Sequence, residues 1–189
     1  MLVLASGSPR RRQLLDWLGI EYAIEPADLD ETPRPGESAE ELVRRLACAK
    51  ALAVAGRRSG ACVLAADTIV EIDGVLLGKP VDRAEAALML ARLAGREHRV
   101  VTGFALVEPG GTVLAQDVVL SRVRFRALDS RAISAYVASG EPEGKAGGYA
   151  VQGLGAGLID RVEGSLTNVI GLPLTEVAQA LEGAGVLAR

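Results

Sequence analysis

Lysine, histidine, cysteine and aromatic residues are all scarce in this chain of 189 residues. Histidine occurs once, at His98, and aromatic residues make up 3% of the sequence. The two cysteines, Cys48 and Cys62, form no CxxC pair, which excludes a structural zinc site and argues against a disulfide framework. Three of the 21 basic residues are lysines: Lys50, Lys79 and Lys145. Because arginine supplies every other basic side chain, these three positions are candidates for sites that require an ammonium group.

Long hydrophobic runs are also missing, and none approaches the roughly 20 residues of a membrane helix. The apolar opening at 1–5 is followed directly by the arginines at 10–12, which reverses the order of a secretory signal. A hydrophobic content of 49% is too high for a disordered chain, and a net charge of -3 argues against a protein that coats nucleic acid. We therefore expect a cytoplasmic protein with no membrane or nucleic-acid partner.

Helical and strand patterns alternate along the whole chain, which predicts a single α/β domain over residues 1–189 with a mixed sheet. The predicted strands are 2–5, 22–25, 61–72, 75–77, 97–107, 113–126 and 158–163. The predicted helices are 8–18, 38–55, 83–94, 129–139 and 173–181. Trp17 and Leu14 share a helix face and are expected in the core, and His98 is expected to be structural, at the edge of a strand.

A cluster of cations stands at the start of the first predicted helix, in the segment SGSPRRR at 6–12. Cations are unfavourable at a helix N-terminus, which carries about half a positive charge. A bound phosphate would remove this conflict, since backbone amides, the hydroxyls of Ser6 and Ser8 and the guanidinium groups could all contact it. The alternative is a solvated basic turn. No Walker motif is present, so a standard ATPase is not indicated.

Charged residues interrupt two apolar patterns that predict burial. Asp67 follows the apolar run at 61–66, and an acid there fits a general base or a Mg²⁺ ligand. The alternative is an acid at a strand end that pairs locally. Lys50 falls on the apolar stripe of the helix at 38–55, where it would either meet an anion or extend its ammonium to solvent. Gln152, in a stretch of small residues, could read a base edge or be an ordinary loop amide.

Six segments carry a resemblance to a known family: ASGSPRRRQLL at 5–15, DLDETPRPGES at 28–38, AADTIV at 65–70, GKP at 78–80, TGFALV at 102–107 and KAGGYAVQG at 145–153. In this order they resemble the Maf family of nucleoside triphosphate pyrophosphatases, once described as septum formation inhibitors. The resemblance implies a twisted, elongated mixed sheet flanked by helices, with two lobes around a central cleft, and a homodimer. It also implies cleavage of a nucleoside triphosphate to the monophosphate and pyrophosphate, by metal-dependent attack of water at the α-phosphate.

The same resemblance implies roles for individual residues. Asp67 matches the catalytic acid, and Glu31 matches an acidic position that would help it hold Mg²⁺ or Mn²⁺. The family's phosphate-binding set matches Ser6, Arg11, Lys50, Lys79 and Lys145, and Lys50, Lys79 and Glu31 are also expected to be catalytic. Positions tied to base specificity match Arg10, Thr68 and Gln152, and together they resemble the dTTP/UTP branch.

Two other classes of function stay open from the sequence. The family's older description keeps open a regulatory protein that senses nucleotides and inhibits septum formation through a protein partner. A nucleic-acid-binding module could instead use the arginines that alternate along the strand at 113–126, although the acidic total argues against it.

Overall fold

The computed structural model describes residues 1–188 and has a mixed α/β fold with a seven-stranded sheet flanked by helices, as predicted. The strands are β1 (Leu2–Leu4), β2 (Tyr22–Ile24), β3 (Cys62–Ile72), β4 (Val75–Leu77), β5 (Glu97–Val107), β6 (Val113–Phe125) and β7 (Ile159–Glu163). The helices are α1 (Pro9–Asp16), α2 (Ala39–Ala55), α3 (Arg83–Leu93), α4 (Ser130–Ala138), α5 (Leu166–Ile170) and α6 (Leu174–Gly183). Within residues 1–188, no helix is both long enough and apolar enough to cross a membrane.

The strand order places β3 in the interior of the sheet. The order is β2-β1-β3-β5-β6-β7, and β4 pairs with the end of β3. β1 runs parallel to both β2 and β3, with Val3 opposite Ala23 and Val63. β4 is antiparallel to β3, and β7 is antiparallel to β6. Residues 63–66 of β3 are apolar and buried, and Asp67 follows directly in the same strand.

The chain divides into two compact units. The first unit comprises Met1–Asp67, Thr102–Val119 and the segment from Gly171. Its core is built from small side chains of β1, α2, β3 and β5, such as Val3, Ala47 and Val63. A Cβ atom at Gly103 would lie 2.6 Å from the backbone oxygen of Val43, so α2 packs directly on the strand. This close approach fixes the helix that carries Lys50.

The second unit comprises Thr68–Val101 and Leu120–Ile170, and its core holds an aromatic cluster. His98 is 2% exposed and makes edge-to-face contacts with Phe125 and Tyr149. Its Nε2 lies 2.7 Å from the hydroxyl of Tyr149, and burial lowers the pKa of His98 to about 4. His98 is thus a neutral core residue. It is the second residue of β5, which lies between β3 and β6 in the sheet.

Two features differ from the sequence-based expectations. Trp17 is 58% exposed, because α1 ends at Asp16 and the buried face of that helix is supplied by Leu14 and Leu15. Helix α5 is absent from the predictions, since five residues are too short to show a helical period. It places the buried side chain of Asn168, which donates to the backbone oxygen of Val100 and to Ser121 Oγ.

Candidate active site

A buried ammonium joins two carboxylates in the first unit. Lys50 Nζ lies 2.6 Å from Asp67 Oδ1 and 2.5 Å from Glu31 Oε1. Lys50 and Asp67 are 6% and 8% exposed, whereas the side chain of Glu31 is 41% exposed. A buried ion pair is stable only when its geometry offsets the loss of hydration. The short contacts therefore fix the positions of the three charged groups relative to one another.

Local sequence explains why α2 brings Lys50 to this place. Ser38 and Glu41 form a capping box that fixes the first turn of the helix. Lys50 then falls in the same buried stripe as Ala47 and Val54. The sequence-based expectation that Lys50 lies on the apolar face is therefore confirmed, and its ammonium meets anions there and does not extend to solvent.

The N-terminus of α1 supplies a second set of polar groups in the same unit. Ser8 is extended at the N-cap position, but its side chain caps no backbone N–H among residues 1–188. Ser6 Oγ accepts hydrogen bonds from Ser8 N at 3.2 Å and from Arg11 Nη1 at 3.3 Å. Arg11 Nε donates to the backbone oxygen of Gly171 at 2.8 Å. These bonds hold the Arg11 guanidinium next to the opening turn of the helix.

Arg11 is electrostatically linked to the acidic pair. Burial lowers the pKa of Arg11, and the negative charges of Asp67 and Glu31 act in the opposite direction. The neighbouring Arg10, which is half-buried, lowers the pKa further. The first unit thus holds six of the predicted site residues: Ser6, Arg10, Arg11, Glu31, Lys50 and Asp67.

The loops that carry Lys79 and Lys145 meet in the second unit. Gly147 N donates to the backbone oxygen of Gly78 at 3.0 Å, which joins the two segments one or two residues from each lysine. Gly147 has a φ of 69°, and a Cβ atom there would lie 2.9 Å from Val70 Cγ2. Lys145 Nζ donates to the backbone oxygen of Glu143 at 3.3 Å, and Lys79 is exposed. The close fit against Val70 is the reason for glycine in the segment KAGGY.

Gln152 lies in a loop (residues 149–158, the Gln152 loop) that two side chains hold in place. The carboxylate of Glu141 accepts hydrogen bonds from Leu154 N at 2.9 Å, Gly155 N at 2.8 Å and the Tyr136 hydroxyl at 2.9 Å. The same hydroxyl accepts from Ala150 N at 3.1 Å. Burial acts to raise the pKa of Glu141, but these hydrogen bonds outweigh it and the pKa lies below its usual value. The Glu141 carboxylate therefore anchors the loop as an anion.

The remaining predicted residues are placed as follows. Thr68 follows Asp67 on β3 and is half-buried, and it begins the second unit. Thr68, Lys79, Lys145 and Gln152 all belong to that unit. The expectation that one cleft gathers the residues of both units stays a prediction.

The carboxylates of Asp67 and Glu31 are suitable ligands for a divalent cation. Their shared contact with the Lys50 ammonium shows that both can face one positive charge. No group of three His, Cys, Asp or Glu side chains that could hold a metal occurs in the part of the chain described, residues 1–188. Mg²⁺ is commonly held by one or two carboxylates with water and substrate phosphates, so this pair fits a metal that binds together with a nucleotide.

Sequence reasoning missed Arg45, Glu37, Tyr136 and Glu141, which hold the loops of the site. The contacts by which they hold the loops include pairs 8 to 14 residues apart in the chain, where no short-range pattern is available. The only local sign is Glu37, which directly precedes the capping box of α2.

Comparison with known proteins identifies the chain's relatives. A family model described as "Maf-like protein" matches residues 1–184. A protein of Myxococcus xanthus, named dTTP/UTP pyrophosphatase, is 55% identical over 98% of this chain and 93% of its own length. Proteins with the same name from Syntrophus aciditrophicus and Pelotomaculum thermopropionicum are each 49% identical, over 98% and 97% of this chain and 91% and 96% of their own lengths.

Proposed function

Because the chain belongs to the Maf-like protein family, we propose that it hydrolyses dTTP and UTP to the nucleoside monophosphate and pyrophosphate. The observation that carries the proposal is the buried contact of Lys50 with Asp67 and Glu31, beside the Ser6 and Arg11 pair. A general base, cations and carboxylates that can hold a metal ion are the groups that phosphoryl transfer requires. The names of the relatives point to the same two substrates.

The chemistry assigns a role to each group in the first unit. Asp67 accepts the proton of the water that attacks the α-phosphorus, and the bond to the bridging oxygen breaks, so that pyrophosphate leaves with the electron pair. Lys50 keeps the Asp67 carboxylate oriented for this transfer. Arg11 and Ser6 bind phosphate oxygens at the start of α1. A divalent cation held by Asp67 and Glu31 would neutralise charge on the phosphates.

The proposal also includes roles for residues of the second unit and for Arg10. Lys79 and Lys145 bind phosphate oxygens and stabilise the charge that develops on the pyrophosphate. Gln152, whose side-chain amide has an NH₂ donor group and an acceptor oxygen, reads the pyrimidine edge, and Arg10 and Thr68 restrict the base. Activity as a homodimer and a requirement for Mg²⁺ or Mn²⁺ are further parts of this proposal.

The arginine surface on β6 gives no support to the nucleic-acid alternative. Arg122 lies 3.8 Å from a carboxylate oxygen of Glu97 and 3.6 Å from one of Glu163, and Arg161 lies within 3.5 Å of both acids. Interleaved carboxylates lower the positive potential that phosphate binding would need.

A panel of nucleoside triphosphates, assayed for released pyrophosphate with Mg²⁺, tests the proposal. We expect dTTP and UTP to exceed the purine nucleotides, and Asp67→Asn to lower kcat at least about 100-fold in a folded protein. Asp160→Asn, at an exposed position of β7, is the matched control and should retain wild-type activity. Nucleotide binding without pyrophosphate release would contradict the proposal and favour the nucleotide-sensing regulatory alternative.

A further inference from the structure

We infer that Arg45 is a positioning residue that holds the loop carrying Glu31 against α2, and thereby keeps the Glu31 carboxylate beside Lys50 and Asp67. The inference deepens the proposed function and rests on it. The loop (residues 25–38, the Glu31 loop) joins β2 to α2 and contains neither helix nor strand along its described length. A segment of this kind loses much conformational entropy when one of its side chains must stay in place.

Arg45 attaches this loop at two points. Its Nε lies 2.6 Å from Glu37 Oε1 and its Nη2 lies 2.7 Å from Glu37 Oε2, which is a bidentate pair. The same Nη2 donates to the backbone oxygen of Thr32 at 3.2 Å. The Glu37 side chain is only 8% exposed, so this pair is shielded from water more than an ordinary surface ion pair. One guanidinium therefore joins both ends of the segment 32–37 to the helix.

The attachment reaches Glu31 through its immediate neighbours. Asp30 Oδ1 accepts hydrogen bonds from Thr32 N at 2.9 Å and from Thr32 Oγ1 at 2.5 Å, which closes a compact turn around Glu31. Arg45 fixes the carbonyl at the end of that turn. Glu31 itself is exposed on a loop, and its contact with Lys50 brings it to the buried pair. The turn and the guanidinium together set where its carboxylate can lie.

Helix α2 thus contributes two residues to the arrangement around Glu31. Arg45 fixes the loop, and Lys50, five residues later on the same helix, receives the carboxylate that the loop carries. A direct electrostatic effect is the competing explanation: the hydrogen bond to Glu37 is the main cause of the raised pKa of Arg45, but the charge of Asp67 also contributes. The two explanations differ for lysine, which keeps the charge but cannot form the bidentate pair.

A double-mutant cycle between Arg45→Gln and Glu31→Gln tests the inference. We expect Arg45→Gln alone to lower kcat for dTTP about tenfold or more, with KM for the nucleotide changed less than about twofold. In the Glu31→Gln background the second substitution should have less than about a twofold effect, because the position of Glu31 no longer matters. Arg45→Lys should recover only a small part of the loss.

Three results of these experiments would contradict the positioning role of Arg45. Additive effects in the cycle, full recovery by Arg45→Lys or wild-type kcat for Glu31→Gln would each overturn the inference. Arg44→Gln, at the neighbouring exposed arginine of α2, is the matched control and should keep wild-type kinetics. Failure of the proposed function would appear differently, as no pyrophosphate release by the wild-type protein.

Hydrogen exchange gives a readout that does not depend on activity. Arg45→Gln should speed exchange of the amides in residues 30–37, while the amides of α2 that follow Arg45 keep their protection. Unchanged exchange in the loop would overturn the inference. Every variant must first show a cooperative thermal unfolding transition, so that a general loss of protection from hydrogen exchange can be excluded.

Discussion

The ammonium of Lys50 lies 2.6 Å from the carboxylate of Asp67, and both side chains are almost completely buried. The two residues come from α2 and β3, which pack into the core of one unit, so the pair is part of the core and part of the candidate site at once. Pairs of this kind have little effect on stability when intact but are expensive to break, because the remaining charge stays buried. A substitution at this pair is therefore expected to affect both folding and the proposed catalysis.

Lys50→Met should lower both stability and activity. The substitution removes the cation that Asp67 and Glu31 share, and breaking a buried ion pair typically costs about 3–5 kcal/mol. Urea unfolding should show a decrease in the free energy of unfolding of this order, and kcat should fall at least about 100-fold.

Lys79→Met is the matched control for that experiment. Lys79 is exposed, so its substitution should change the free energy of unfolding by less than about 0.5 kcal/mol while kcat falls as severely. A Lys50→Met protein as stable as the wild type would contradict the structural role assigned to the buried pair.

Lys50 and Asp67 are predictable from the sequence because each is a charge inside an apolar pattern. The capping signals at Ser38, Asp82 and Asp129 likewise predict the starts of α2, α3 and α4, and each side chain accepts the expected backbone hydrogen bond. Local chemistry decides such features, so local sequence predicts them.

The loop anchors could not be predicted in this way. Arg45 stands beside Arg44 with nothing to distinguish it, and its partner Glu37 is eight residues away. Glu141 contacts Leu154 N and Gly155 N, which are 13 and 14 residues distant. These contacts form because the tertiary fold brings distant segments of the chain together. Helical and strand periodicities in the sequence carry no information about such contacts.

Glu141→Gln should weaken recognition of the base. An amide would place an NH₂ donor against one of the N–H donors of Leu154 or Gly155, so the Gln152 loop would lose one of its attachments. We expect the ratio of kcat/KM for dTTP to that for GTP to fall about fivefold, with kcat for dTTP changed less than about threefold.

Two further variants decide whether this effect passes through Gln152. Glu143→Gln, at an exposed carboxylate two residues away, should leave the ratio unchanged. In a Gln152→Ala background the Glu141 substitution should have little further effect on the ratio. Independent, additive losses would show that Glu141 acts by another route.

Gly147→Ala should displace the segment that carries Lys145. The residue has a φ of 69°, and its new Cβ would lie 2.9 Å from Val70 Cγ2. Strain at positive φ and the clash together should lower the free energy of unfolding by about 1–3 kcal/mol, and KM for the nucleotide should rise. Thermal unfolding and steady-state kinetics provide the two measurements.

Gly144→Ala separates the clash from the backbone effect. Gly144 has the same φ of 69°, but nothing lies within 4 Å of a Cβ atom there. Gly144→Ala should therefore lower the free energy of unfolding by only about 1 kcal/mol, and KM for the nucleotide should stay near its normal value. Equal effects of the two substitutions would rule out the contact with Val70 as the reason for glycine at 147.

His98 should make the protein less stable as the pH falls below about 6.5. Burial lowers its pKa to about 4 in the folded protein, so between these values the unfolded chain binds a proton that the folded chain does not. Stability supplied by the neutral imidazole is complete above the unfolded pKa and is lost progressively toward pH 4. At pH 5 the loss is about 2 kcal/mol relative to pH 7, measured by urea unfolding at both values.

His98→Gln removes the titrating group and keeps a polar partner for the hydroxyl of Tyr149, which lies 2.7 Å from the imidazole. Carboxylates such as Glu141 contribute their own pH dependence equally to both proteins, so the difference between wild type and variant isolates the imidazole. That difference should shrink by about 2 kcal/mol from pH 7 to pH 5. If the two proteins lost stability in parallel over this range, the imidazole would have to be protonated inside the core, against the aromatic faces that surround it.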